Sequence, residues 1–114
     1  MKITNIENKL TYSDEKLTKR ILYNENGKLL NFVLNFKPGQ GVPPHQHGEG
    51  DLVIHVLSGS GEMVIDEKVI KVVKGDVIYF EGEDHFNVKN TGEDNMSLFV
   101  VIAPNVNPAF AKEV

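Results

Sequence analysis

The sequence predicts an all-β protein, a sandwich or barrel of short strands. Three observations carry this. Apolar residues alternate with period two, the apolar runs are short and rich in β-branched residues, and turn residues separate them at even spacing. The first clear strand lies in "KLLNFVLNFK", where Leu30, Phe32, Leu34 and Phe36 share one face and Asn31, Val33 and Asn35 the other. "DLVIHVL" (Asp51 to Leu57), "EMVID" (Glu62 to Asp66), "KVIKVV" (Lys68 to Val73) and "DVIYF" (Asp76 to Phe80) follow. "HFNVKN" and "MSLFVVIA" (Met96 to Ala103) complete the set. Pro38-Gly39, Ser58-Gly59-Ser60-Gly61, Asp66-Glu67, Gly75, Gly82 and Thr91-Gly92 are the intervening turns. Only "SDEKLTKR" (Ser13 to Arg20) reads as a possible helical turn. "PNVNP" (Pro104 to Pro108) ends the last strand, because proline cannot donate to a ladder. The residues after it are expected to cover a barrel end or to fray.

The 114 residues make one domain, which at this size buries roughly two-thirds of the surface its unfolded chain exposes. With 40% hydrophobic and 25% charged residues the composition is that of a globular protein, and no linker, low-complexity tract or repeat interrupts it. The net charge of -4 is unclustered, and the longest basic run, "KLTKR" (Lys16 to Arg20), is too short and mixed for a phosphate-binding stripe. Nucleic acid is therefore set aside. The absence of cysteine excludes disulfides, thiolate metal sites and a cysteine nucleophile. "MKITNIENKL" lacks the apolar stretch of a signal peptide, and no run approaches the ~20 apolar residues needed to span a bilayer. The expectation is a cytoplasmic protein with no membrane partner.

The chemistry concentrates in "PPHQHGEGD" (Pro43 to Asp51). On an extended backbone His45 and His47 point to the same face. Two such imidazoles start a divalent metal site, since a neutral ring nitrogen suits Zn, Ni, Cu, Fe and Mn. Pro43 and Pro44 stiffen the approach, and Gly48 and Gly50 let the chain bend after it. Asp51 then begins a strand from which its carboxylate could reach the same point. The other reading of the histidine pair is a metal-free pocket in which they bind ligand or water.

Gly39 stands six residues before His45, and "VLSG" closes on Gly59; "KGDVIYF" later leads to His85, with Asn90 beyond. This arrangement resembles the cupin family. Its first motif is glycine, five residues, H-x-H, three or four residues, glutamate, six residues, glycine. Its second is glycine, five residues, P-x-G, two residues, histidine, three residues, asparagine. Gly39, His45, His47 and Gly59 match the first, and Gly75 and Asn90 have the separation of the second. The resemblance covers roughly Phe36 to Pro104. It implies a double-stranded β-helix, a cupin jelly-roll barrel, with an N-terminal strand arm and a barrel core over about residues 29–104 of a single domain, 1–114. The sequence departs from these motifs at several positions. Counting back from Gly59 puts Leu52 where the family has glutamate, and strict counting of the second motif puts Phe86 where it has histidine; Glu81 stands in place of the proline. A one-residue bulge at each point would bring Asp51 and His85 into the site instead. The expected metal ligands are therefore His45, His47, His85 and Asp51, with Glu49 and His55 as further candidates for the missing glutamate. The alternatives are a solvent-facing strand-edge His85 and a turn carboxylate for Asp51.

His55 is tied to Asp51 by alternation. If Asp51 points into the pocket, so does His55; if Leu52 points in, His55 faces the other way. A pocket lined by Leu, Ile, Val and Phe suits a small organic molecule. Three protein ligands would leave open positions on Fe, Mn, Ni, Zn or Cu, the layout of a reactive site. The resemblance implies a dioxygenase, isomerase or decarboxylase. No clear general base stands out, since Glu81, Glu83 and Asp84 fall on a turn. The second reading is a non-catalytic, metal-free binding or sensor protein. The resemblance further implies a homodimer, the commonest symmetric assembly.

Overall fold

The structure, a computed structural model, describes residues 1–114 and contains nine strands. These are β1 (Thr18–Glu25), β2 (Leu29–Phe36), β3 (Gly41–His45), β4 (Asp51–Ser58), β5 (Ser60–Ile65), β6 (Lys68–Val73), β7 (Val77–Phe80), β8 (Phe86–Lys89) and β9 (Met96–Ala103). Short 3-10 helices at Ile6–Lys9 and Pro108–Ala111 flank them. One sheet has the order β1-β2-β9-β4-β7 and the other β3-β8-β5-β6, with every pair antiparallel. No helix is long and apolar enough to cross a membrane.

The alternation read from the sequence sets the inner faces. Leu30, Phe32, Leu34 and Phe36 of β2, Leu52, Ile54 and Val56 of β4, and Leu98, Val100 and Ile102 of β9 form one wall of the core. Met63, Phe86 and Val88 face them from the other sheet. The opposite face of β2 is buried as well, because the N-terminal arm crosses it. Asn35 donates to the Lys9 carbonyl at 2.7 Å and to Thr18 Oγ1 at 3.1 Å, and accepts from Ser97 Oγ at 2.7 Å. Ser97 in turn bonds the Tyr12 hydroxyl. Asn35 is thus a satisfied polar group under the arm, and Asn31 is satisfied within the sheet by donating to the Val100 carbonyl at 2.9 Å.

Two turns follow directly from residue chemistry. Asp66 and Glu67 both take positive φ (46° and 69°) between Ile65 and Lys68, a two-residue hairpin loop whose twist matches its strands. Gly59 joins β4 to β5 at φ 77°, where a Cβ would stand 2.5 Å from the Asn95 carbonyl, so only glycine fits. The stretch 13–20 forms no helical turn. Thr18 to Arg20 already belong to β1, whose pairing with β2 outweighs local helix preference, and the only helical turn of the arm is at Ile6–Lys9.

Candidate functional site: a histidine pair in an apolar barrel cavity

A cavity of about 510 Å³ opens at one end of the barrel. Its walls are mostly hydrocarbon, with Phe32, Leu34, Leu52, Ile54, Phe86 and Val100 among them. His45 ends β3 and His47 lies two residues on, where the backbone turns back towards β4. The His47 amide donates to the Gly82 carbonyl at 2.6 Å, and the Gln46 side chain donates to the Glu83 carbonyl at 2.6 Å. The β7–β8 loop therefore holds the histidine stretch in place.

The two imidazoles converge, with 3.1 Å between their Nε2 atoms. The surrounding bonds assign the tautomers. Nδ1–H of His45 donates to the Pro43 carbonyl at 2.8 Å, since a carbonyl can only accept. That leaves Nε2 of His45 as an acceptor, so Nε2–H of His47 is the donor between the rings. Nδ1 of His47 is then a bare lone pair, and it is buried with no hydrogen-bond partner. The His47 ring is only 6% exposed and sits among Phe110 at 4.9 Å, Phe86 at 6.2 Å and Phe80 at 6.3 Å between centroids. Burial, then the neighbouring His45, then Lys19 push its pKa down to about 4. At neutral pH it is an uncharged imidazole.

The other expected ligands lie elsewhere. Asp51 is exposed and accepts from the Gly82 amide at 3.2 Å and the Tyr79 hydroxyl at 3.3 Å, which ties the start of β4 to the loop after β7. Its charge also pushes the Tyr79 hydroxyl pKa up. His85 is exposed on a separate shallow cleft with Asp66 and Glu67. Its amide donates to Asp66 Oδ1 at 2.9 Å, and this bond holds the Asp66 carboxyl below the usual carboxylate range. Glu49 is an exposed residue of the turn. His55 pairs with Val77 and Phe99 across the sheet and points away from the cavity, as alternation requires once Leu52 points in. No group of three or more His, Asp or Glu side chains is arranged to hold a metal ion.

The reason is register. Neither bulge that would turn Asp51 and His85 inward is present. β4 pairs without interruption from Asp51↔Ala103 to Val56↔Leu98, and its one irregularity comes later, between Val56 and Ser58. β8 begins with Phe86 opposite both His45 and Ile65. Leu52 and Phe86 therefore occupy the inward positions, 1% and 2% exposed, and both line the cavity.

The sequence reading missed Lys19, and it expected the residues after Pro108 to cover a barrel end or fray without naming a wall residue among them. Lys19 stands opposite Leu34 in the β1–β2 register and so shares its inward face. Its ammonium lies 4.2 Å from the Phe32 ring centroid and donates to the Phe110 carbonyl. Desolvation alone pushes its pKa down to about 8. The C-terminal segment runs along β1. Lys19 N donates to the Val114 carbonyl at 3.1 Å, Arg20 reaches the same oxygen at 2.7 Å, and the Ile21 amide donates to Glu113 Oε2 at 2.7 Å. This places Phe110 and Val114 in the cavity wall. Recognising β1 in "TKRILYNE" would have exposed Lys19; nothing local in "NPAFAKEV" signals the docking.

Residues 32–102 match the family model described as "Cupin domain". The chain belongs to the cupin family. An uncharacterized protein of Aquifex aeolicus (strain VF5) is 31% identical over 86 residues, 75% of this chain and 68% of that one. An RmlC-like cupin protein from Desulfovibrio desulfuricans superposes with a TM-score of 0.79 at 31% identity, covering 91% of this chain and 97% of that one. A protein from Thermus thermophilus superposes with a TM-score of 0.84 at 24% identity over 91% and 98% of the two chains, a likeness of fold. At the motif positions counted in the sequence the barrel presents His45, His47, Leu52 and Phe86 to the cavity: two imidazoles and two hydrocarbons. That set does not fit a resident metal held by three or four protein ligands.

Proposed function

We propose that this cupin binds a small, mostly apolar organic molecule in the barrel cavity and orients its polar end with the His45–His47 pair, without a resident metal. The observation that carries this is the inward placement of Leu52 and Phe86 at the motif positions where donors would be needed. A cavity of about 510 Å³ walled by hydrocarbon, with a few convergent polar groups, has the form of a small-molecule site. His47 Nδ1 is an acceptor that lacks a donor and is shielded from the cavity as the ring stands; a turn of the ring would let a hydroxyl or N–H on the ligand complete it. No aspartate or glutamate lines the cavity beside the histidines to serve as a carboxylate acid or base, which favours binding over turnover.

A second reading has one observation on its side. The Nε2 atoms lie close enough, at 3.1 Å, to share one divalent ion, and the Pro43 carbonyl already fixes the His45 ring as it would for a ligand. His47 Nδ1 has no such anchor. Elemental analysis of protein purified without a metal column, beside a His45→Ala/His47→Ala variant, separates the two. The proposed reading expects no stoichiometric metal in either protein, even after incubation with Fe(II), Mn(II), Ni(II) and Zn(II). It also expects small organic molecules to raise the thermal midpoint of the wild type. About one equivalent of metal that the variant loses would establish the second reading.

A further inference from the structure

We infer that the cavity selects organic anions, an apolar body ending in a carboxylate, with Lys19 as the group that receives the negative charge. This rests on the small-molecule reading above and specifies its ligand. Three lysines, Lys16, Lys19 and Lys112, line the cavity together with the two histidines, and no aspartate or glutamate does. The protein as a whole is acidic, with net charge -4, so this basic lining runs against its composition.

Lys19 is the member placed to act. Its ammonium is carried inward by the β1–β2 register, lies over the Phe32 ring, and has one hydrogen-bond acceptor, the Phe110 carbonyl. It takes part in none of the ion pairs of the chain, which are Lys2–Glu25, Lys37–Asp14 and His85–Asp66. The acidic groups on the neighbouring stretch of the tail are engaged elsewhere, Glu113 by the Ile21 amide and the Val114 end group by the Lys19 amide and the Arg20 guanidinium. A partly desolvated ammonium without a counter-charge is unfavourable, and its low pKa reports the same cost. A ligand carboxylate entering this low-dielectric setting would form charge-assisted bonds that water cannot match as well. The ring cage of Phe32, Phe86 and Phe110 takes the apolar body.

The test is isothermal titration calorimetry with three probes of equal chain length, octanoate, 1-octanol and octylamine, below their aggregation concentrations. They are titrated into wild type, Lys19→Met and Lys19→Arg. The expected result is that wild type binds octanoate about tenfold or more tightly than 1-octanol, and octylamine most weakly. Lys19→Met should lose the preference while still binding 1-octanol, and Lys19→Arg should keep it. Equal affinity for octanoate and 1-octanol, a preference for octylamine, or a preference that survives in Lys19→Met would overturn the anion assignment and leave the pocket reading standing. Failure of all three probes to bind wild type would remove both. If Lys19→Met does not fold, the order of the three probes on wild type and on Lys19→Arg decides.

Discussion

His47 is the residue at which function and stability can be separated, and His47→Phe is the perturbation that does it. The ring lies among Phe80, Phe86 and Phe110, so a phenyl side chain meets compatible neighbours. Two terms change at neutral pH. The variant loses the bond between the His47 and His45 Nε2 atoms, about 1 kcal/mol, and relieves the unpartnered Nδ1, about 1–3 kcal/mol. The net expectation is a variant at least as stable as the wild type at pH 7. A third term appears on acidification. Because the folded pKa, about 4, lies below the unfolded value of 6.5, the unfolded chain takes up a proton that the folded one refuses. Stability from this group is full above pH 6.5 and falls as pH drops towards 4. Between pH 7 and pH 5 the loss is at most about 2 kcal/mol. Urea unfolding at both pH values measures it. The wild type should weaken by that amount relative to His47→Phe, since every other titrating group is common to both. Parallel pH dependence in the two proteins would refute the reasoning, because it would mean that His47 is not held neutral.

Three further outcomes follow from the geometry. Asp51→Ala should cost about 1 kcal/mol in urea unfolding, through its bonds to the Gly82 amide and the Tyr79 hydroxyl, and should leave metal content unchanged; a lost equivalent of metal would place Asp51 in a site. His85→Ala should leave octanoate binding at the wild-type level, because the residue lies on a different cleft; weakened binding would refute that separation. Gly82→Ala should lower the thermal midpoint and weaken 1-octanol binding together, since its Cβ would collide with the Gly48 and Gly50 carbonyls that shape the His47 turn. An unperturbed Gly82→Ala would show that this turn yields freely.

The fold was legible because alternation survives on nearly every strand. "LLNFVLNF" and "MSLFVVIA" read as strands, and they sit side by side in the sheet. The histidine pair was legible for the same reason, since an x-H-x-H-x spacing on extended backbone fixes a common face. The rest of the metal set depended on two bulges whose presence no local residue decides. A one-residue slip turns a whole strand over, and the buried Leu52-Ile54-Val56 face of β4 forbids it: admitting Asp51 would have sent those three side chains to solvent. Strict counting of the motifs gave Leu52 and Phe86, and these are the residues that line the cavity, while Asp51 and His85 stand outside it. Lys19 and Phe110 escaped because their importance is purely tertiary. One is an inward lysine in a strand read as a helical turn, and the other belongs to a tail whose docking on β1 runs through backbone groups.

The unpartnered groups of this barrel are complementary in kind. Nδ1 of His47 is an acceptor without a donor, and Lys19 is a cation without an anion, and both residues line one cavity. Each raises the free energy of the empty fold, and an apolar residue at either position would remove that cost. Mere filling of a barrel does not call for them. A ligand that satisfies them recovers what the empty protein lacks, so its binding should appear as stability: about 2.7 kcal/mol at a hundredfold excess over Kd. The gain should also differ between ligands according to which group each one satisfies. An apolar alcohol can donate to His47 once the ring turns Nδ1 into the cavity, and leaves Lys19 unpaired. A simple carboxylate answers Lys19 and leaves His47 waiting. An acid that also bears a hydroxyl answers both, and 2-hydroxyoctanoate should therefore raise the thermal midpoint above octanoate and 1-octanol alike at matched concentration. If it ranks level with octanoate in the wild type, or if the His47→Phe variant keeps the advantage, the His47 lone pair is not a recognition group and the pocket reads charge alone.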